Sequence, residues 1–293
     1  MPRSEQKDLD LLRQFLERNQ SFCGPKPNTQ SPNGFKGFKW YTKGARARII
    51  NGKEVKKHSV PWLVRIGDGD CKSFCGGSLI QSNMVLSAAH CKEKNNNIVT
   101  LGDHDCDDTD DEKRIKVKRW ILHEDYFISN NSEYALNDIA IVILEKRAIY
   151  SKTIAPICLP SKPYTDFSNV AGQLATAAGW GDHKVNETSE EYEEREHKLM
   201  EVQLQILSSN ACEIKKEDVQ FQGGYNSSSM MCVGDPDYIQ SNNPGKNWRA
   251  KMGKIKSIWK GDSGGKCHFI ICIGNVNICY QYIKTWSGSK TKL

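Results

Sequence analysis

From residue 49 onward, short apolar runs recur, each of strand length and each closed off by turn residues. They are Trp62 to Ile66, Ser78 to Ile80, Met84 to Ser87, Ile98 to Leu101, Ile115 to Leu122, Ile139 to Leu144 and Ala175 to Ala178. β-Branched residues are frequent in them, and their length suits a strand better than a helix. Helical periodicity is scarce, and no internal repeat is present. A succession of many short strands implies an all-β sandwich or barrel.

The first 48 residues have a different character. Leu9, Leu11, Leu12, Phe15 and Leu16 recur at helical spacing, which predicts one short amphipathic helix. Residues 21–44 are rich in Pro, Gly, Lys and Asn and read as a linker. No apolar run approaches the ~20 residues needed to cross a bilayer. Met1 to Asp10 is polar and carries no signal peptide.

Eleven cysteines, without a Cys-x-x-Cys metal pattern, point instead to disulfides and an oxidising compartment. Sequons at Asn19, Asn130, Asn186 and Asn226 are compatible with a secreted glycoprotein. The expectation is a secreted protein whose true amino terminus lies outside this sequence. The formal charge is +6. From Tyr238 to Gly261 there are six cations, among them Lys251, Lys254 and Lys256, and no acid, and the sequence carries no signature of a nucleic-acid-binding fold. A solvated loop is the simple reading. A glycan or nucleic-acid binder would require strongly salt-dependent binding there. The acidic stretch Glu187 to Glu196 reads as a surface loop.

Three clusters carry chemistry: Ser87-Ala88-Ala89-His90-Cys91, Asn137-Asp138-Ile139-Ala140-Ile141 and Gly261-Asp262-Ser263-Gly264-Gly265. Singly, each has a structural explanation as a histidine beside a cysteine, a turn aspartate and a glycine turn. Together they supply what acyl transfer by a serine needs: a hydroxyl, a base to take its proton and an acid to orient that base. Glycines beside a serine let backbone N–H groups converge on a developing oxyanion.

These clusters resemble the three motifs of the chymotrypsin/trypsin-like serine protease family. Further matches are Arg48-Ile49-Ile50-Asn51-Gly52, Pro61-Trp62, Cys75-Gly76-Gly77-Ser78-Leu79-Ile80, Pro156-Ile157-Cys158-Leu159-Pro160 and Ala178-Gly179-Trp180-Gly181. The resemblance implies two six-stranded antiparallel β-barrels, with residues 1–48 a propeptide and linker and residues 49–293 the protease domain. It implies Ser263 as nucleophile, His90 as general base, Asp138 as its orienting acid, and the N–H groups of Gly261 and Ser263 as the oxyanion hole. Cleavage after Arg48, with Arg46 and Lys43 as fallback points, would free the Ile49 amine to pair with Asp262. The uncut chain would then be a nearly inactive zymogen. Implied disulfides are Cys75–Cys91, Cys212–Cys232 and Cys23–Cys158, with Cys71 and Cys106 left to each other. Cys267, Cys272 and Cys279 have no assigned partner.

The acidic loop from Asp103 to Asp111 sits where some family members bind calcium, so Asp103, Asp105 and Asp110 are candidate ligands, with a solvated loop as the alternative. No organic cofactor is implied. Implied partners are protein substrates, an activating protease and protein inhibitors of the serpin or another type, with no nucleic acid and no membrane. Leu11 to Leu16 followed by Cys23-Gly24 resembles the tail of an arthropod clip domain, although the double cysteine expected there is absent.

The sequence departs from the family near the nucleophile. Trp259 stands where a cysteine is expected, and Ser257 aligns to the base of the primary specificity pocket, where a serine suits large apolar side chains. Trp286 would belong to the substrate-binding strand. After Gly265 the pattern is atypical, and a second barrel incomplete at its C-terminal end is expected. Two functions therefore stand side by side: an active endopeptidase, and a catalytically inactive homologue acting as a regulatory binding module.

Overall fold

A computed structural model of the chain describes residues 53–69, 74–92, 96–109, 112–128, 135–159, 170–180, 198–206 and 208, and the backbone alone at 184–185, 192–193, 233–234, 270–273 and 278–281. Six strands close into a barrel: β2 (Leu63–Gly67), β3 (Phe74–Gln81), β4 (Met84–Ser87), β5 (Ile98–Leu101), β6 (Lys113–Leu122) and β9 (Ala140–Leu144). Their order around the barrel is β2-β3-β4-β9-β6-β5, and every pairing is antiparallel. Closure leaves no unpaired edge along these strands.

The barrel interior is apolar. Val64, Ile66, Leu79, Val85, Val99, Leu101 and Val142 are completely buried in one apolar cluster. Gly77 on β3 has no room for a side chain, since a Cβ there would lie 2.6 Å from Val85 Cγ1 and 3.1 Å from Ile66 Cδ1. The expected runs correspond to these strands to within a few residues. β3 begins four residues earlier than its run, because Cys75, Gly76 and Gly77 continue the ladder with β2.

A second sheet of six strands is built from β1 (Lys53–Glu54), β10 (Leu174–Gly179), β13 (Met200–Ile206), β14 (Val233–Gly234), β15 (Ile270–Ile273) and β16 (Ile278–Gln281), in the order β1-β13-β10-β15-β16 with β14 also on β13. Among the described residues it is open, with β16 paired to β15 alone. β13 alternates: Met200, Val202, Leu204 and Ile206 point inward, while Gln203 is exposed. This period of two is that of a half-buried strand.

Two short hairpins complete the described strands, β7 (Phe127–Ile128) with β8 (Ala135–Leu136) and β11 (Lys184–Val185) with β12 (Tyr192–Glu193). The acidic stretch read as a plain loop thus contains β12. The two sheets share a core, for Val55, Ala178, Trp180 and Leu199 join the barrel's apolar cluster. No helix among the described residues is long and apolar enough to cross a membrane. The expected helix at residues 9–16 and the linker after it lie outside the described residues.

Candidate active site

The site is assembled by the pairing of β4 with β9. Ser87, at the end of β4, faces Ala140, at the start of β9. Antiparallel pairing therefore brings the residues just after β4 next to those just before β9. Those residues are His90 and Asp138.

Beyond β4 the chain makes one 3₁₀ turn, Ala89–Cys91, closed by Cys91 N–H to Ala88 C=O at 3.2 Å and Lys92 N–H to Ala89 C=O at 3.1 Å. Cys91 is joined to Cys75 on β3 by a disulfide, which ties the turn to the barrel wall. Asn96, itself buried, donates from Nδ2 to the Cys91 carbonyl at 2.6 Å and lies against Cys75 Sγ. Two independent ties thus hold the residue that follows His90.

Asp138 is positioned from the other side. Asn137 takes a φ of 50°, a left-handed conformation that Asn tolerates better than most residues. Its Nδ2 donates to the Asp125 carbonyl at 3.0 Å, and Ile139 N–H closes the turn onto Asn137 C=O at 2.8 Å. His123 N–H then picks up Ile139 C=O at 3.0 Å. The Asp138 side chain emerges from this turn nearly fully buried.

The two side chains meet at two points. His90 N–H donates to Asp138 Oδ1 at 2.8 Å, and His90 Nδ1 is hydrogen-bonded to Asp138 Oδ2. With a carboxylate facing it, Nδ1 carries the ring proton of the neutral tautomer, so Nε2 is the basic nitrogen. Tyr126 lies close by. Its phenol is pushed up to about 12, first by burial and then by the Asp138 charge. Neither Tyr126 nor Asn96 was singled out from sequence. The Asn-Asp pair at 137–138 does carry a signal for the left-handed turn, but nothing local marks Asn96.

Of the other expected site residues, Ser263, Gly261, Asp262, Arg48, Ile49, Ser257 and Trp286 lie outside the described residues, as do Cys212, Cys232, Cys23, Cys71 and all four sequons. Cys106 and Cys158 are disulfide-bonded. The acidic loop differs from an open ligand set. Asp103 is buried, and its Oδ2 takes the Arg65 Nε at 2.7 Å. Burial pushes the Asp103 carboxyl up, and Arg65 works against that shift. Asp105 instead accepts the Asp107 N–H at 3.2 Å, and Asp110 lies outside the described residues.

Comparison with known proteins agrees with this geometry. Residues 49–246 match the Trypsin family, more than half of the chain. Chymase of Cavia porcellus is 33% identical over 241 residues, covering 81% of both chains. Granzyme B of Homo sapiens is 34% identical, covering 74% of this chain and 75% of its own. Among solved structures, neuropsin, a serine protease expressed in the limbic system of mouse brain, superposes with a TM-score of 0.52 at 27% identity, over 64% of this chain and 75% of its own. The chain is thus a member of the trypsin-like serine protease family.

Proposed function

We propose that this protein is a serine endopeptidase that hydrolyses peptide bonds of protein substrates through an acyl-enzyme intermediate. The observation that carries the reading is the two-point hold of Asp138 on His90, through the backbone N–H and through Nδ1. That hold fixes the ring orientation and tautomer that a general base requires. His90 Nε2 takes the Ser263 hydroxyl proton as Oγ attacks the substrate carbonyl, then delivers it to the leaving amine. Asp138 remains ionised and stabilises the imidazolium that forms in between. The N–H groups of Gly261 and Ser263 receive the oxyanion. The chemistry uses no organic cofactor.

The protein is secreted as a zymogen in this reading, residues 1–48 being the propeptide and residues 49–293 the protease domain. Cleavage after Arg48 releases the Ile49 amine to pair with Asp262, ordering the oxyanion hole. A buried carboxylate is costly without such a partner.

Two measurements test the proposal. After cleavage at Arg48, a fluorophosphonate probe labels the protein, and Ser263→Ala abolishes the label. If no label appears on the cleaved, folded protein, it is an inactive homologue and the peptidase reading falls. Arg48→Gln keeps the chain uncut and nearly unreactive; full labelling of that variant would remove the zymogen step alone.

A further inference from the structure

The turn that carries His90 is clamped from three parts of the barrel. Asp138, just ahead of β9, holds the His90 N–H and Nδ1. The disulfide joins Cys91 to Cys75 of β3. The third clamp is Asn96, whose Nδ2 donates to the Cys91 carbonyl at 2.6 Å. Asn96 stands on a firm base. The next residue, Asn97, extends β5 by one position. Its N–H donates to Gly67 C=O, at the end of β2, at 3.1 Å, and its C=O accepts Val117 N–H of β6 at 2.7 Å. Asn96 therefore reaches from the foot of β5 to a turn that leaves β4.

The clamps act on different degrees of freedom. A disulfide limits how far Cys91 can travel, but the single bonds of its side chains leave the Cys91 peptide group free to tilt. The Asn96 carboxamide grips that peptide group itself. His90 N–H and Cys91 C=O bracket the histidine backbone, so Asp138 and Asn96 hold the two ends of one two-residue segment. Cys91 is completely buried, and among the described residues no other donor reaches its carbonyl. A three-residue 3₁₀ turn has no internal partner for its last carbonyls. A buried carbonyl left without one is strongly disfavoured.

We infer that Asn96 is a positioning residue for His90. Its carboxamide fixes the tilt of the peptide that follows the histidine and, through it, the direction in which Nε2 points. Without that grip the segment pivots on the Asp138 contact and the disulfide. The pivot loosens the hydrogen bond between His90 Nδ1 and Asp138 Oδ2 and swings Nε2 off the line it needs toward a hydroxyl. A misplacement of about 1 Å at a reacting group costs about a hundredfold in rate. The kinetic part of this inference rests on the peptidase reading. The effect on the pair of His90 with Asp138 does not.

The test compares the full chain, cleaved after Arg48, with three variants. These are Asn96→Ala, Asn96→Asp, whose carboxylate cannot donate, and Asn97→Ala, whose side chain is exposed. Fluorophosphonate labelling, read well below each thermal midpoint, slows about tenfold or more in both Asn96 variants and keeps the parent's rate in Asn97→Ala. Proton NMR on Ser263→Ala protein reads the hold directly. The Nδ1 proton of His90 is protected from solvent exchange with Asn96 in place and exchanges faster in both Asn96 variants. A role confined to stability lowers the thermal midpoint and leaves labelling rate and proton exchange at the parent's values. That outcome, in either Asn96 variant that folds, overturns the inference, and so does an equal loss in Asn97→Ala. If the parent itself does not label, the peptidase reading falls, and the exchange of the Nδ1 proton still decides the place of Asn96.

Discussion

Of Gly69, Gly77 and Gly172, Gly77 leaves the least room for an added carbon. Its missing Cβ space is filled by Val85 Cγ1, Ile66 Cδ1 and the Leu86 carbonyl. Gly77→Ala must displace packed side chains and backbone, so it destabilises by about 1–3 kcal/mol, read from the urea midpoint at unchanged m-value. Tyr126 gives a second residue-level expectation. Its folded pKa, raised to about 12 from 10, means that the unfolded chain releases the phenolic proton first as pH climbs. The associated stability is complete below pH 10 and is lost as pH rises toward 12. Tyr126→Phe should flatten the fall of the thermal midpoint over that alkaline window; an unchanged fall refutes this.

At the level of elements, legibility followed the kind of pattern a strand carries except at β15, whose contiguous run Ile270–Ile273 was passed over in a stretch read as atypical. Contiguous apolar runs such as Met84–Ser87 and Ile98–Leu101 were readable because both of their faces are covered. β13 was missed because Met200–Ile206 interleaves apolar residues with Glu and Gln, so no contiguous run appears. β1, of two residues, is too short for any periodicity and exists through its pairing with β13. At the site, the order of the motifs in the chain marked His90 and Asp138. The supports did not show themselves, because Asn96 becomes a neighbour of Cys91 only once the intervening loop closes. The calcium candidates were legible as acids only. That Asp103 faces a guanidinium depends on Arg65, which alternation on β2 alone would place among apolar neighbours.

On the scale of the whole molecule, the segment around Asp103 and His104 joins the two sheets. Asp103 binds Arg65 of the barrel, while the His104 carbonyl accepts Leu199 N–H at 2.7 Å and Trp180 Nε1–H at 3.3 Å. His104 Nε2 also meets Glu54 of β1 at 3.0 Å, and that hydrogen bond, more than the nearby Lys198 charge, holds the Glu54 carboxyl below its usual range. Removing the central cation strands Asp103 in a buried setting and leaves Glu112 with the Arg114 guanidinium alone. Arg65→Leu should therefore cost about 3–5 kcal/mol, measured by urea unfolding, and a loss below about 1 kcal/mol would contradict the role given to it.

The pairing of β4 with β9 also bears on the order of events during synthesis. All six barrel strands fall between residues 63 and 144, ahead of every strand of the second sheet except β1. On a ribosome, the imidazole and its carboxylate emerge within one contiguous stretch and can meet while the serine segment is still untranslated. The nascent chain can thereby hold His90 against Asp138 well before residue 263 is synthesised.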